Sequence, residues 1–264
     1  MAFFPLLNTT IATGFTTVHN FSPNNWENQS RDIKTVWAIY SDGTKWQTKK
    51  LDTLEIGSSK TYYYNDLVKV LDSKFQPLIL LQLRKSSFVT TLDSLPEQEY
   101  AFTHTPEWRA TVGLNLSESQ TSYQGEINPF PKRASLLTFH PFIQYQRIKN
   151  YFLFMNTEKL PNYRESSIEI YEANSRKFID EIKVFANHAN LIELDQYCFS
   201  PTDLPVFISR TMAGIPFGLG VSEDNTMLSL EHTHPPASFS VHGERFKVQA
   251  EIKRQWFNTL TRKK

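Results

Sequence analysis

The chain has 264 residues, a formal net charge of +1, one cysteine and nine glycines. At roughly 100–200 residues per domain, that length suits one large domain or two smaller ones. A composition of 40% hydrophobic and 21% charged residues excludes disordered and fibrous classes. The single Cys198 excludes an intramolecular disulfide, a CxxC redox pair and a multi-cysteine zinc centre. The near-neutral charge argues against broad nucleic-acid or anionic-membrane binding.

Taken in chain order, the start Met1-Ala2-Phe3-Phe4-Pro5-Leu6-Leu7 has no basic residue before its apolar patch, and Asn8, Thr9 and Thr10 cut that patch short. A secretory leader is therefore not expected, and no run reaches the ~20 apolar residues of a membrane span. The expected setting is the cytoplasm. Residues 33–40 alternate and stop at the turn Ser41-Asp42-Gly43. Further strands are expected at 60–64, at 77–83 behind Pro77, at 151–155, at 166–171, at 180–186 and at 246–252. Short helices are expected at 66–71 and near 254–260. The basic tail 253–264 reads as a solvated end. Many short strands with frequent turns predict an all-β protein of antiparallel sandwiches.

An internal repeat divides the chain. The strand Trp37-Ala38-Ile39-Tyr40 with its polar turn matches Ile168-Glu169-Ile170-Tyr171 and its own turn. Tyr62-Tyr63-Tyr64-Asn65-Asp66 matches Leu191-Ile192-Glu193-Leu194-Asp195, and Pro77-Leu78-Ile79-Leu80 matches Pro205-Val206-Phe207-Ile208. Phe102-Thr103-His104-Thr105-Pro106 matches Glu231-His232-Thr233-His234-Pro235. Pro77 and Pro106 stand 29 residues apart, Pro205 and Pro235 30. Ordered matches at a period of about 129 residues predict two tandem β-sandwich domains related by duplication, at 1–147 and 148–264. Leu136-Leu137-Thr138-Phe139 reads as the last strand of the first copy.

Two groups of side chains could carry chemistry. On a strand, His232 and His234 share a face, and His242 follows beyond a turn. With Glu231 or Glu244 they could hold a divalent iron, manganese or zinc ion. In cupins a glutamate follows the HxH pair; here Pro235-Pro236-Ala237-Ser238 stands in its place, and Glu231 lies on the opposite strand face from both histidines. The other group combines His104, Trp108 and Arg109 with His232, His234 and His242. Rings stack on sugar faces while His and Arg bond hydroxyls, so these six form the expected ligand site. Trp26 and Trp46, among polar neighbours, are expected to be exposed, and Trp37, in an alternating run, buried.

Covalent and nucleotide chemistry find no motif. The chain lacks GxSxG, GxxxxGK[ST] and HExxH, and Cys198 between Tyr197 and Phe199 reads as a core thiol. Residues 214–220, with Gly214, Gly218 and Gly220, read as a hairpin turn. Asp180-Glu181 and Glu223-Asp224 point to opposite strand faces and cannot share a proton.

Lys60-Thr61-Tyr62-Tyr63-Tyr64-Asn65-Asp66-Leu67 followed by Pro77-Leu78-Ile79-Leu80-Leu81-Gln82 resembles the small β-sandwich sensory rhodopsin transducer family. The resemblance covers a fraction of one copy and implies a compact, non-enzymatic sandwich that self-associates and binds ligands or partners. The sequence therefore predicts a non-catalytic cytoplasmic binding or assembly protein, homo-oligomeric, taking a glycan or another small polar ligand, with no cofactor. The alternative is a metal-dependent cupin-like enzyme using His232, His234 and His242, and a purely structural oligomer subunit is a third reading.

Overall fold

The computed structural model describes residues 3–20, 33–71, 76–85, 87–96, 110–130, 132, 135–139, 147–197, 199, 203–232 and 245–260. The fold is all-β with antiparallel sheets, as the alternating runs predict. The first group of strands comprises β1 (Phe4–Leu6), β2 (Thr13–Asn20), β3 (Lys34–Ser41), β4 (Trp46–Leu54), β5 (Ser58–Tyr63), β6 (Ile79–Arg84), β7 (Thr91–Leu92), β8 (Ala110–Leu116) and β9 (Ser119–Gly125), with helix α1 (Tyr64–Val70) after β5. The second comprises β10 (Ser135–Phe139), β11 (Ile148–Asn156), β12 (Glu165–Glu172), β13 (Phe178–Phe185), β14 (His188–Glu193), β15 (Pro205–Ser209), β16 (Ile215–Ser222) and β17 (Leu228–His232), closed by α2 (Arg245–Thr259). No helix of the described residues is long and apolar enough to cross a membrane.

Four sheets result. Sheet I has the order β1-β6-β3-β4-β7 and sheet II the order β5-β2-β8-β9; sheet III runs β10-β15-β12-β13 and sheet IV β14-β11-β16-β17. Leaving out the two-residue β7, III repeats the order of I, and IV repeats that of II. Alternation along each strand sends every second side chain inward. Val36 and Ala38 of sheet I meet Val18, Val112 and Leu114 of sheet II in one core. Phe152 and Phe154 of sheet IV meet Ile168, Ile170 and Phe207 of sheet III in a second, where Phe152 stacks on Phe207 at 4.2 Å.

The halves are fused by a third layer of contacts. The other face of sheet IV, with Tyr151, Leu153, Met155, Phe217 and Leu219, belongs to the first sandwich's core. The rings of Phe217 and Tyr123, on the edge strand β9, lie 5.1 Å apart. Part of the outer face of sheet III, on β12 and β15, is covered by α2, whose Trp256 and Leu260 pack on Tyr171, Val206 and Ile208.

Several sequence expectations need correction. β10 pairs with β15, so Ser135–Phe139 joins the second set of sheets and is not the last strand of the first. Residues 246–252 are helical: their period of two gives way to the four-residue spacing of Trp256 and Leu260, and 251–255 are Glu, Ile, Lys, Arg and Gln, mostly strong helix formers. Residues 253–260 are thus no frayed end. Residues 215–220 lie inside β16 and make no hairpin turn; Gly218 and Gly220 stand opposite Phe152 and Asn150, leaving room beside the stacked rings. The repeat alignment also slips by one in its first strand. With Pro77 set on Pro205, Leu80 falls on Ile208, and their cross-strand partners are Ile39 and Glu169. Tyr40 therefore corresponds to Ile170, and a one-residue slip exchanges the two faces. Cys198 lies outside the described residues.

Candidate functional site

The two sandwiches meet along a cleft of about 610 Å³, within the size range of small-molecule sites. One wall is the β1–β2 connection with Asn8, Thr9 and Thr10, backed by Gln76; the other is the end of β13 and start of β14, with Phe185, His188, Ala189 and Leu191; Tyr163 completes it. The walls are therefore built by both halves of the chain.

Local chemistry fixes each wall. Thr9 Oγ1 accepts the Ala12 backbone N–H at 3.1 Å and donates to the Ala12 carbonyl at 2.6 Å, closing a short turn. Asn8 Nδ2 donates to the Gln76 carbonyl at 3.0 Å, tying the turn to the approach to β6. The chain then folds back so closely that a Cβ on Gly14 would lie 1.9 Å from the Leu7 carbonyl oxygen, so only glycine fits there. In the opposite wall Asn187 takes a left-handed conformation (φ 59°), a role that asparagine tolerates. Its Nδ2 donates to the carbonyls of Leu160 and Asn162. Asn190 accepts the Phe185 N–H and donates back to the Phe185 carbonyl, holding the strand-to-strand turn.

The segment 157–164 links the walls. Arg164 and buried Glu158 form an ion pair at 2.5 Å, and Arg164 also donates to the Thr211 carbonyl. Tyr163 donates to the Ser41 carbonyl at 2.6 Å, and its ring packs over Gly43. Ser41 Oγ in turn donates to the Pro161 carbonyl, and Trp46 Nε1 donates to the Lys159 carbonyl at 2.9 Å. Trp46 is thus a buried tie between the halves, 1% exposed, contrary to its polar sequence neighbours. Trp37 is buried as expected.

Among the described residues, no lining residue is an aspartate, glutamate, lysine or arginine. Burial lowers the pKa of His188, so its ring is neutral at pH 7 and offers one donor and one acceptor. Burial raises that of Tyr163, with the Asp42 charge adding to it against the Ser41 bond, so the phenol keeps its proton. Phe185 is 40% exposed, an apolar ring open to the cleft. The site can bond hydroxyl or amide groups and can cover one apolar face.

Among the described residues, the cleft lining includes none of the sequence-predicted site residues. His104, Trp108, Arg109, His234 and His242 lie outside the described residues, as does Trp26. His232 ends β17, with Phe217 as its register partner. Among the described residues no group of three His, Cys, Asp or Glu side chains could hold a metal ion. The cleft residues escaped sequence reading because they sit on two connections, near 8–10 and 185–188, that only the packing of the halves brings together. Asn187-His188 after an alternating strand was the one local signal.

No family model matches the chain, no curated protein matches it, and no solved structure matches it.

Proposed function

We propose that this protein is a non-catalytic binding protein whose cleft between two sandwiches takes a small, uncharged polar ligand such as an oligosaccharide. One observation carries the reading: both halves contribute amide, hydroxyl, neutral imidazole and aromatic groups to one cleft, with no charged side chain among the described lining residues. Such a set bonds hydroxyls and stacks on a sugar's apolar face without needing to neutralise charge. The shared strand order of the two sandwiches supports descent from one duplicated unit. A cytoplasmic setting and self-association belong to the same proposal, in line with the sensory rhodopsin transducer resemblance.

Calorimetric titration with neutral trisaccharides (maltotriose, chitotriose, xylotriose) tests it. At least one should bind saturably, and Phe185→Ala should weaken it roughly 2- to 13-fold, the value of one ring contact of about 0.5–1.5 kcal/mol. Absence of saturable binding, or binding unchanged in both Phe185→Ala and His188→Ala, overturns the proposal.

A further inference from the structure

Sheet III ends at β13, and among the described residues no strand pairs with the outer side of that strand. Such an edge presents a row of backbone donors and acceptors, and the side chains beside it decide what can dock there.

Three sets of bonds show which residues of β13 turn their backbone outward. Ala186 N–H donates to the Arg164 carbonyl at 2.9 Å, so Ala186 and, by alternation, Val184, Ile182 and Asp180 bond towards β12. Phe185 bonds the Asn190 side chain through both its N–H and its carbonyl. Glu181 N–H donates to the Asp180 carboxylate at 2.8 Å. Glu181, Lys183 and Phe185 therefore face away from β12. The stretch is closed at one end by Asn190 on Phe185, and at the other by a bulge at Ile179, which the ladder skips between Asp180 and Phe178. Ile182 lies midway between those two ends.

The side chains fit this centre. Glu181 and Lys183 are exposed, Lys183 at 75%. Ile182 points to the opposite face and packs on the core of Phe152, Ile168 and Phe207. Charges on an edge strand ordinarily oppose strand addition. Here they oppose it in some registers and favour it in one. A two-fold antiparallel pair centred on Glu181 sets Glu against Glu, and one centred on Lys183 sets Lys against Lys. Centred on Ile182, Glu181 stands opposite the partner's Lys183 and Lys183 opposite the partner's Glu181. Both are outward-facing residues, so each of these pairs exchanges two backbone hydrogen bonds. Ile182 meets the partner's Ile182 as the closer, non-bonded pair between them, and the two cores adjoin at their rims. The Glu181 N–H passes from the Asp180 carboxylate to the carbonyl of the partner's Lys183, while Asp180 keeps the Tyr197 hydroxyl at 3.0 Å. The Lys183–Glu165 pair is exposed on both sides and holds Lys183 only weakly.

We infer that β13 is the docking edge for a second copy of this chain, paired antiparallel about Ile182 so that the two sheets III become one. This pairing gives the self-association proposed above its surface, and it rests on that part of the proposal alone, not on the cleft. A short ladder makes a small interface, so the dimer forms and dissociates with concentration.

Sedimentation equilibrium of the full chain, from low micromolar to near-millimolar concentration, should show a monomer–dimer equilibrium. Lys183→Glu and Glu181→Lys each turn two attractive cross-strand pairs into two repulsive ones, and each should weaken the dimer roughly tenfold or more. Mixed in equal amounts, these two variants should form a heterodimer about as tight as the parent dimer, because every glutamate again faces a lysine. The double variant Glu181→Lys with Lys183→Glu should dimerise like the parent for the same reason. Lys183→Pro removes an N–H that lies outside the β12 ladder and should also weaken the dimer. Thermal melts matching the parent's show which variants are folded; should a single variant misfold, the double variant and Lys183→Pro decide. A monomer at every concentration overturns this pairing and self-association together. A dimer indifferent to the single variants, or one that neither the mixture nor the double variant restores, overturns the β13 edge and leaves self-association standing.

Discussion

The buried pair Glu169–Arg210 offers the sharpest energetic test, because the molecule supplies its own control. Arg210 donates to Glu169 from Nε at 2.8 Å and from Nη2 at 2.9 Å, and Tyr171 adds its hydroxyl at 2.8 Å. The two side chains differ in environment: Glu169 is 2% exposed and Arg210 33%. Replacing Arg210 leaves a carboxylate that water cannot reach, a change of about 3–5 kcal/mol, of which the Tyr171 bond offsets part. Replacing Glu169 strands only a guanidinium that can turn to solvent, so about 1 kcal/mol is expected. In the other sandwich Ile39 and Gln82 stand at the corresponding places, so Glu169→Ile with Arg210→Gln installs a combination this fold already carries. Urea unfolding of the four proteins should show Arg210→Gln as the least stable, with the double variant recovering most of the loss. At roughly 2–4 °C per kcal/mol for chains of this size, Arg210→Gln should melt about 6–20 °C lower. Its deficit should shrink as the pH is lowered towards 5, because protonation removes the unpaired charge. Equal losses in the two single variants, or no recovery in the double, would refute the reasoning.

Further expectations rest on separate contacts. Gly14→Ala should displace the 7–12 turn and abolish trisaccharide binding in the cleft, read by calorimetry, because its Cβ would strike the Leu7 carbonyl. Trp46→Phe removes the indole N–H that the Lys159 carbonyl accepts beside the Leu95 N–H, about 0.5–1.5 kcal/mol, and should speed hydrogen exchange across 159–164. Trp256→Ala removes both the packing on sheet III and the Arg176 stack at 3.3 Å, and should raise hydrogen exchange throughout α2 while β11 stays protected. His188 and His19 have folded pKa values lowered by burial. The unfolded chain therefore binds more protons just below pH 6.5, so stability present above that value is lost as the pH falls. His188→Gln should flatten that dependence in unfolding at pH 7.5 and 5.5.

The strands were largely legible because their alternation is local: Ile168 and Ile170 face one way and Glu169 and Tyr171 the other, whatever lies beyond. Pro77 and Pro205 marked the same place in the two halves because proline is tolerated where a strand begins. What lay beyond reach was anything decided by the second sandwich. Trp46 reads as exposed beside Lys45 and Gln47, yet the carbonyl that buries it belongs to Lys159. The helix at 245–259 reads as a strand up to Ile252, because alternation fits either form over seven residues and only packing on Tyr171 and Val206 chooses. The cleft escaped for the same reason, since its walls lie more than a hundred residues apart in the chain.

The fates of the four outer faces explain where binding chemistry has room. On sheet I, Trp46 and Ser41 are held by the 159–163 segment, and Trp37 packs edge-on to Phe88 at 5.5 Å. The face of sheet III lies under α2 at β12 and β15, and that of sheet IV closes the first sandwich. Covered faces require apolar side chains or paired charges, as Leu80, Ile208 and Glu169–Arg210 show. A face left open to water is released from that requirement and is ordinarily filled with lysine and glutamate, as the exposed ion pair Lys183–Glu165 shows on the uncovered part of β13 and β12. The edge strands of sheet II instead expose Ser59, Tyr63, Ser122 and Gln124, around a centre where Phe15 is 3% exposed.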